Sequence, residues 1–320
     1  MVQTKMNGLS QSNVPPAGIW APAVTFYDND ELDLTSQAKY YKYLSLHLTG
    51  LVILGTNAET FMLTRDERAA LLKTAREAVG ADYPIMAGVG GHSTKQVLEF
   101  ISDACAAGAN YALVLPCAYF GKQTTPKVIT NFYSEVAEKS SLPIVIYNFP
   151  AVCNGVDIES DMMVDLAKKY LGKIVGTKLT CASVGKITRL ASTFDASEFA
   201  TYGGQSDFLI GGLAVGSAGC IAAFANIFPK TVKHIYELYK QGKHDEALKL
   251  HRIAANAESF SKAGIANTKY AVSVTTARSA GIQDAEAKLV PRRPYEPPTE
   301  AVKKDIMAKM EDMIRIENSL

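Results

Sequence analysis

The sequence predicts an α/β protein built as a (β/α)8 TIM barrel with a C-terminal helical extension. Eight short runs rich in valine, isoleucine and leucine recur over residues 17–240, about thirty residues apart, which is the length of a βα unit. Amphipathic stretches alternate strictly with these runs, and such alternation favours a closed barrel over an open sheet. From residue 241 to residue 320 the pattern is helical only.

The predicted strands are residues 19–25, 50–54, 84–87, 112–115, 143–147, 174–178, 199–202 and 219–222. Capping residues mark the helices between them: Thr64 opens a capping box with Glu67, and Ser93 or Thr94 caps the next helix. Within the extension the predicted helices span residues 246–262, 266–279 and 299–317, with a proline-rich turn at 291–298. Residues 1–16 are polar and aperiodic, so we expect a mobile N-terminal tail.

The composition argues against several classes of protein. Lysine and arginine number 33 and the acidic residues 32, a balance without the basic excess typical of proteins that bind nucleic acid or an anionic membrane. Apolar runs are too short to cross a bilayer, and the N-terminus lacks a secretory signal, so we expect a cytoplasmic protein. The five cysteines are spaced singly, which argues against disulfides and zinc.

Lys178 is the first candidate for chemistry, because it closes the apolar run 173–178. Lysine is rarely buried without a partner or a task, and the last side chain of a barrel strand points toward the C-terminal face, where active sites lie. An amine in that position can form a Schiff base with a carbonyl substrate. The alternative is a lysine that reaches solvent or pairs with a carboxylate.

Three further strand ends carry suitable groups at the same face. Residues 55–60, after the second strand, offer hydroxyl, amide and backbone N–H donors for a small carboxylate. Tyr147 ends the fifth strand and places a phenol at the same C-terminal face of the barrel as Lys178. Residues 219–222 are small enough for backbone carbonyls to approach a ligand. Each could be an ordinary loop, but their shared position favours one site.

The sequence resembles the pyruvate-dependent class I aldolases, which include dihydrodipicolinate synthase, N-acetylneuraminate lyase and the 2-keto-3-deoxy sugar-acid aldolases. The resemblance covers residues 17–298. The motifs that carry it are Gly55-Thr56-x-x-Glu59, Tyr147-Asn148-x-Pro150 and Gly176-Thr177-Lys178.

This resemblance implies a catalytic role for four residues. Lys178 would form the imine with pyruvate or with the 2-oxo acid to be cleaved, and Tyr147 would shuttle the proton of the 4-hydroxyl. Thr56 would join the proton relay, and Tyr119 would complete it from a neighbouring subunit. No metal and no organic cofactor is implied.

The resemblance also implies the binding groups and the assembly. Thr56 and Asn57 would hold the substrate carboxylate, and Gly204 with the Ile221 carbonyl would line the pocket. The family forms homotetramers arranged as dimers of dimers, so we expect that state.

One departure from the family bears on the substrate. Dihydrodipicolinate synthases carry an arginine after the Tyr-Asn-x-Pro motif for the carboxylate of aspartate semialdehyde, whereas residues 151–155 here contain no cation. We therefore expect a neutral aldehyde, hence cleavage of a 2-keto-3-deoxy sugar acid to pyruvate. The alternatives are 4-hydroxy-2-oxoglutarate aldolase, or 4-hydroxy-tetrahydrodipicolinate (dihydrodipicolinate) synthase if Lys122 supplies the charge.

Two other classes of protein stay open. One is a catalytically silent homologue that binds pyruvate without turnover, against which the retained Lys178, Tyr147 and Thr56 argue. The other is a flavin- or phosphate-binding oxidoreductase, for which the glycine-rich residues 88–91 are the only candidate. Their spacing does not match the dinucleotide fingerprint and indicates a tight turn before a helix.

Overall fold

The computed structural model describes residues 13–320, and eight of its strands close into a parallel barrel. In chain order the strands of the described part are β1 (Gly18–Pro22), β2 (Tyr27–Asp28), β3 (Glu31–Leu32), β4 (Gly50–Ile53), β5 (Ile85–Gly88), β6 (Tyr111–Val114), β7 (Ile144–Asn148), β8 (Ile174–Leu179), β9 (Ala200–Gly203) and β10 (Gly219–Ile221). β1 pairs with both β4 and β10, which closes the barrel. β2 and β3 form a separate antiparallel hairpin that the sequence did not predict.

Helices surround the barrel and continue into the extension, so the predicted fold class is confirmed. The barrel helices are α1 (Leu34–Ser45), α2 (Arg65–Val79), α3 (Thr94–Ala106), α4 (Pro126–Lys139), α5 (Ser160–Lys169), α6 (Val184–Ala191), α7 (Leu209–Ala214) and α8 (Pro229–Lys240). The extension holds α9 (His244–Glu258), α10 (Ile265–Val274), α11 (Thr276–Ser279), α12 (Ala285–Lys288) and α13 (Glu300–Ser319). The capping box of Thr64 with Glu67 and the Ser93 cap form as predicted.

The end of the barrel at which the strands begin is closed by the start of the described chain. Trp20 packs edge-on between Tyr111 and Tyr202, with ring centroids 6.3 Å apart in both pairs. The polar atoms of all three rings donate hydrogen bonds to the backbone carbonyls of residues 14–16. The tail predicted to reach residue 16 is therefore too long by these three residues, and residues 1–12 of it lie outside the described part.

An irregularity in β8 decides which side chains enter the barrel. Ile144 pairs with Ile174 but Val145 pairs with Gly176, so Val175 is an extra residue in β8. Such a bulge lets Val175 and, three residues later, Lys178 both face inward, which regular alternation forbids. A Cβ on Gly176 would lie 2.5 Å from the Ala200 carbonyl oxygen, so only glycine fits there.

The extension packs against the outside of the barrel. α13 contacts α8 and α9, and the buried Glu317 carboxylate accepts hydrogen bonds from the backbone N–H groups of Lys230 (3.0 Å) and Thr231 (2.7 Å). These are the first, unpaired N–H groups of α8, so Glu317 caps that helix from a distant part of the chain. Across residues 13–320, none of the helices combines the length and the apolar character needed to cross a membrane.

Candidate active site

Lys178, Tyr147 and Thr56 form one hydrogen-bonded chain at the mouth of the barrel. The Lys178 amine donates to the Tyr147 hydroxyl at 3.2 Å and lies 4.3 Å from the centre of its ring. The Tyr147 hydroxyl is 3.3 Å from Thr56 Oγ1. Lys178 is 2 % exposed and Tyr147 3 %, so the amine and the phenol meet out of bulk water. These three residues, which the sequence predicts at one site, are in contact in the structure.

Tyr147 is held in place by the residue that follows it. The Asn148 amide donates to the Asp157 carboxylate at 2.6 Å, and its carbonyl oxygen accepts from the backbone N–H of Ile158 at 3.0 Å. The buried Lys186 amine in turn donates to Asp157 at 2.6 Å. This network ties the end of β7 to the segment before α5 and to Lys186 of α6, which holds the phenol in position.

The predicted carboxylate-binding residues lie in a short 3-10 turn (Thr56–Ala58) directly after β4. Thr56 and Asn57 are half-buried there. The Ala58 carbonyl accepts a hydrogen bond from Thr25 at 2.9 Å, which ties the turn to the segment after β1. A small cavity lies beside Thr56 and Tyr147, lined also by residues of β5 and β6 and by the loops that follow β4, β5 and β6.

Gly204 and Ile221 lie at the ends of two neighbouring strands, β9 and β10. Gly204 follows β9, and its N–H donates to the Leu179 carbonyl at 2.9 Å. A Cβ on Gly204 would lie 2.0 Å from Thr180 Oγ1, so a larger residue would push the loop away. Ile221 ends β10 with its side chain buried in the barrel interior. Their contact with a substrate stays a prediction.

Tyr119 lies outside the Lys178–Tyr147–Thr56 chain. Its side chain belongs to an aromatic surface made of Phe61, His92, Tyr119 and Phe120, in which neighbouring rings lie 5.3 to 5.7 Å apart. Tyr119 is 70 % exposed and Phe120 69 %. The geometry of one chain thus leaves Tyr119 free to meet a second subunit, and its relay role stays a prediction.

A buried polar cluster behind the β9 loop was missed by the sequence analysis. Glu258, in the last turn of α9, accepts hydrogen bonds from the Ser206 N–H (3.1 Å) and from the Ser206 hydroxyl (2.6 Å). His251 contacts the Ser206 carbonyl at 2.8 Å. Burial raises the pKa of Glu258 to about 7, although the Ser206 hydrogen bonds oppose that shift. No local pattern marks these residues, because α9 and the β9 loop meet only in the folded chain.

A second missed feature is a buried ion pair between the β4 loop and the extension. Lys269 of α10 donates to the Glu59 carboxylate at 2.7 Å, and both side chains are at most 1 % exposed. Burial lowers the pKa of Lys269 to about 8 against the opposing effect of Glu59. Glu59 belongs to a predicted motif, but its partner is 210 residues away and nothing in the sequence near Lys269 indicates it.

Taken together, the mouth offers a nucleophilic amine, a phenol in contact with it and a hydroxyl that extends the relay. An amine can add to a carbonyl carbon, and a neighbouring phenol can move the protons that this addition and the following bond cleavage require. The residues after β7 that could recognise a second carboxylate, 151–155, contain no cation. Lys122, the alternative source of charge, lies exposed on the loop between β6 and α4.

Comparison with known proteins agrees with this geometry. The model of the dihydrodipicolinate synthetase family matches residues 15–313. A protein of Coccidioides immitis, named provisionally as a mitochondrial 4-hydroxy-2-oxoglutarate aldolase, is 64 % identical over 310 residues, which are 96 % of this chain and 98 % of that protein. The L-threo-3-deoxy-hexylosonate aldolase of Hypocrea jecorina is 37 % identical over 272 residues, covering 80 % of this chain and 86 % of that one.

A solved structure shows the same fold. The crystal structure of a Coccidioides immitis protein, assigned provisionally to the dihydrodipicolinate synthase family, superposes with a TM-score of 0.91 at 61 % identity. The match covers 96 % of this chain and 99 % of that one. The predictions of the family, the barrel and a carbon–carbon lyase are thereby confirmed. This chain belongs to the dihydrodipicolinate synthetase family and is a lyase of its aldolase type.

Proposed function

We propose that the chain is a class I aldolase that cleaves a 4-hydroxy-2-oxo acid to pyruvate and a small aldehyde through an imine on Lys178. The observation that carries the proposal is the contact of the buried Lys178 amine with the Tyr147 hydroxyl at 3.2 Å. A lysine amine and a proton-transfer group in contact are what Schiff-base chemistry requires. The reaction uses no metal and no organic cofactor.

The reaction begins when the Lys178 amine adds to the 2-oxo carbon and water leaves, which gives a protonated imine. Tyr147 takes the proton of the 4-hydroxyl, the C3–C4 bond breaks, and its electron pair flows to the imine nitrogen to form an enamine. The aldehyde departs, the enamine is protonated at C3, and hydrolysis releases pyruvate. A phenol is a weak base at neutral pH, so the Thr56 hydroxyl shares the proton transfer.

Two substrates are supported by different observations. The relative with 64 % identity is named for 4-hydroxy-2-oxoglutarate, which would release glyoxylate with pyruvate, and we place this substrate first. The relative with 37 % identity is named for a 3-deoxy-hexylosonate, a 2-keto-3-deoxy sugar acid. Cleavage of such a sugar acid releases a neutral aldehyde. The absence of a cation in residues 151–155 favours a neutral aldehyde over a charged one, as the sequence predicted.

A retro-aldol panel coupled to pyruvate detection tests the function and orders the substrates. We expect pyruvate from 4-hydroxy-2-oxoglutarate with a kcat/KM of about 10⁴ M⁻¹s⁻¹ or above, and about tenfold less from L-threo-3-deoxy-hexylosonate. A higher kcat/KM for L-threo-3-deoxy-hexylosonate would instead make the sugar acid the preferred substrate. No pyruvate from any 4-hydroxy-2-oxo acid would support the silent homologue and end the proposal. Efficient condensation of pyruvate with aspartate semialdehyde would instead assign a synthase. Lys178→Arg, which keeps the charge, is the inactive control.

For the assembly we propose the homotetramer, a dimer of dimers, with the aromatic surface of Phe61, His92, Tyr119 and Phe120 in the contact between two chains. Exposed apolar rings in a contiguous group are typical of protein interfaces.

The compartment predicted from the sequence is the cytoplasm, whereas the name of the 64 % identical relative supports mitochondria, which we place first. Imaging of the full chain tagged at its C-terminus decides between the two.

A further inference from the structure

The turn that carries Thr56 is continued by a residue in an uncommon backbone conformation. Glu59 has φ 57° and ψ 36° and joins two 3-10 turns, Thr56–Ala58 and Thr60–Met62. The left-handed region is disfavoured for residues with a side chain, because Cβ crowds the following carbonyl. Contacts elsewhere in the fold must therefore hold Glu59 in place.

The C-terminal extension supplies those contacts at both carboxylate oxygens. Oε2 of Glu59 accepts from the Lys269 amine at 2.7 Å, and Oε1 accepts from the Arg292 backbone N–H at 2.7 Å. The Lys269 amine also donates to the Val290 carbonyl at 3.0 Å. The Arg292 guanidinium donates to the Met62 carbonyl at 3.3 Å, so the second turn is held as well.

Glu59 is linked in turn to the catalytic chain. Its backbone N–H donates to the Thr56 carbonyl at 3.0 Å, and Thr56 Oγ1 lies 3.3 Å from the Tyr147 hydroxyl. A displacement of the Glu59 carboxylate therefore moves the residue that touches the phenol. Loss of either partner of the Glu59–Lys269 pair should displace the turn, because a buried ion without its partner must move, become neutral or be hydrated.

We propose that the Glu59–Lys269 ion pair positions the Thr56–Asn57 turn for the carboxylate of the 2-oxo acid, so that α10 of the extension is part of the substrate-binding apparatus. Both members act as positioning residues through Thr56 and Asn57. The inference rests on the proposed function, since it assumes that pyruvate forms an imine at Lys178 with its carboxylate at this turn.

The experiment compares variants of the full chain by trapping of the pyruvate imine. Lys269→Met and Glu59→Gln remove one charge each with little change of side-chain length. Glu317→Gln is the matched control, because it neutralises another buried glutamate that joins the extension to the barrel, away from the Thr56 turn. Each protein is incubated with increasing pyruvate, reduced with borohydride and measured by intact mass, and its melting temperature is recorded.

We expect both pair variants to need about tenfold more pyruvate for half-maximal labelling while the plateau is unchanged, since a displaced binding group weakens binding without removing the amine. Glu317→Gln should melt earlier than the wild type yet keep the wild-type pyruvate requirement. An unchanged requirement in folded Lys269→Met, or an equal rise in Glu317→Gln, would overturn the positioning role.

Two further outcomes keep the test decisive. Should Lys269→Met not fold, Glu59→Asp decides, because it keeps the charge but draws the carboxylate back by one methylene. A raised pyruvate requirement in that variant supports the proposal, and a wild-type requirement refutes it. Absence of labelling in the wild type would contradict the proposed function itself, whereas wild-type labelling with unaffected variants would contradict only the positioning role.

Discussion

The amine of Lys178 enters the barrel mouth because of the extra residue at Val175. In a regular strand, residues three apart face opposite sides, so Lys178 would point toward the outer helices if Val175 pointed inward. The bulge restores the inward direction and brings the amine to the Tyr147 phenol. The local backbone of β8 thereby places the nucleophile beside its proton-transfer group.

Tyr147→Phe should lower turnover about a hundredfold, the range expected when a proton-transfer group is lost. Imine formation with pyruvate should persist, because the Lys178 amine and the Thr56 turn are unchanged. Steady-state kinetics and borohydride trapping measure the two effects separately. Wild-type turnover in this variant would show that another base removes the 4-hydroxyl proton.

At the scale of elements, three segments of the mouth are each held by a polar contact with another part of the chain. The β4 loop is held by Glu59 with Lys269, the end of β7 by Asn148 with Asp157, and the β9 loop by Glu258 of α9. Each anchor involves a carboxylate, and those of Glu59 and Glu258 are buried, so their strength depends on charge. The Glu258 carboxyl, with a pKa raised to about 7, makes the β9 anchor sensitive to pH.

Glu258 should make the folded chain less stable as pH rises. Its pKa in the folded chain, about 7, exceeds the ordinary 4.5, so the folded state holds the proton more tightly. This contribution is complete below pH 4.5 and is lost as pH rises through 7, about 3 kcal/mol in all. Glu258→Gln lacks the ionisation, so the free energy of unfolding of the wild type relative to the variant should fall by up to that amount between pH 4.5 and 8. Urea unfolding measures these free energies at both pH values. The same difference between wild type and variant at pH 4.5 and at pH 8 would refute this linkage.

Gly204→Ala should displace the β9 loop, because the new Cβ would lie 2.0 Å from Thr180 Oγ1 and 2.6 Å from Thr180 Cα. We expect a loss of about 1 to 3 kcal/mol in the free energy of unfolding and at least a tenfold loss of turnover. Gly185→Ala in α6 is the control, since its Cβ meets its nearest neighbour at 3.5 Å and alanine favours the helix. Equal activity of the two variants would remove the requirement for glycine at 204.

At the scale of the whole molecule, the sequence was sufficient for the barrel and for the three residues that meet at its mouth. Strand periodicity and the motifs around Thr56, Tyr147 and Lys178 are local, so the residues themselves carry the signal. The β2–β3 hairpin and α12 were missed because two-residue strands and a four-residue helix show no periodicity. The pairs Glu59–Lys269 and Ser206–Glu258 were missed because their members are 210 and 52 residues apart and meet only on folding.

The aromatic surface gives a prediction about assembly. Replacing Tyr119 and Phe120 together by serine should lower the mass of the particle in solution, because the exposed rings lose their apolar contact area. The same double variant should lose turnover if Tyr119 serves the site of the neighbouring chain. Sedimentation velocity measures the mass. Tyr119→Phe keeps the ring and removes only the hydroxyl, so it distinguishes the contribution of the ring to assembly from that of the hydroxyl to turnover. A double variant with wild-type mass would place the interface elsewhere.

The central claim is that Lys178 forms the imine, and reduction with borohydride in the presence of pyruvate tests it most directly. The buried amine in contact with Tyr147 predicts irreversible loss of activity and one reduced pyruvate adduct per chain. Peptide mapping should find that adduct on Lys178, and Lys178→Arg should take up none. An active wild-type preparation that gains no adduct, or that carries it on another lysine, would contradict the account.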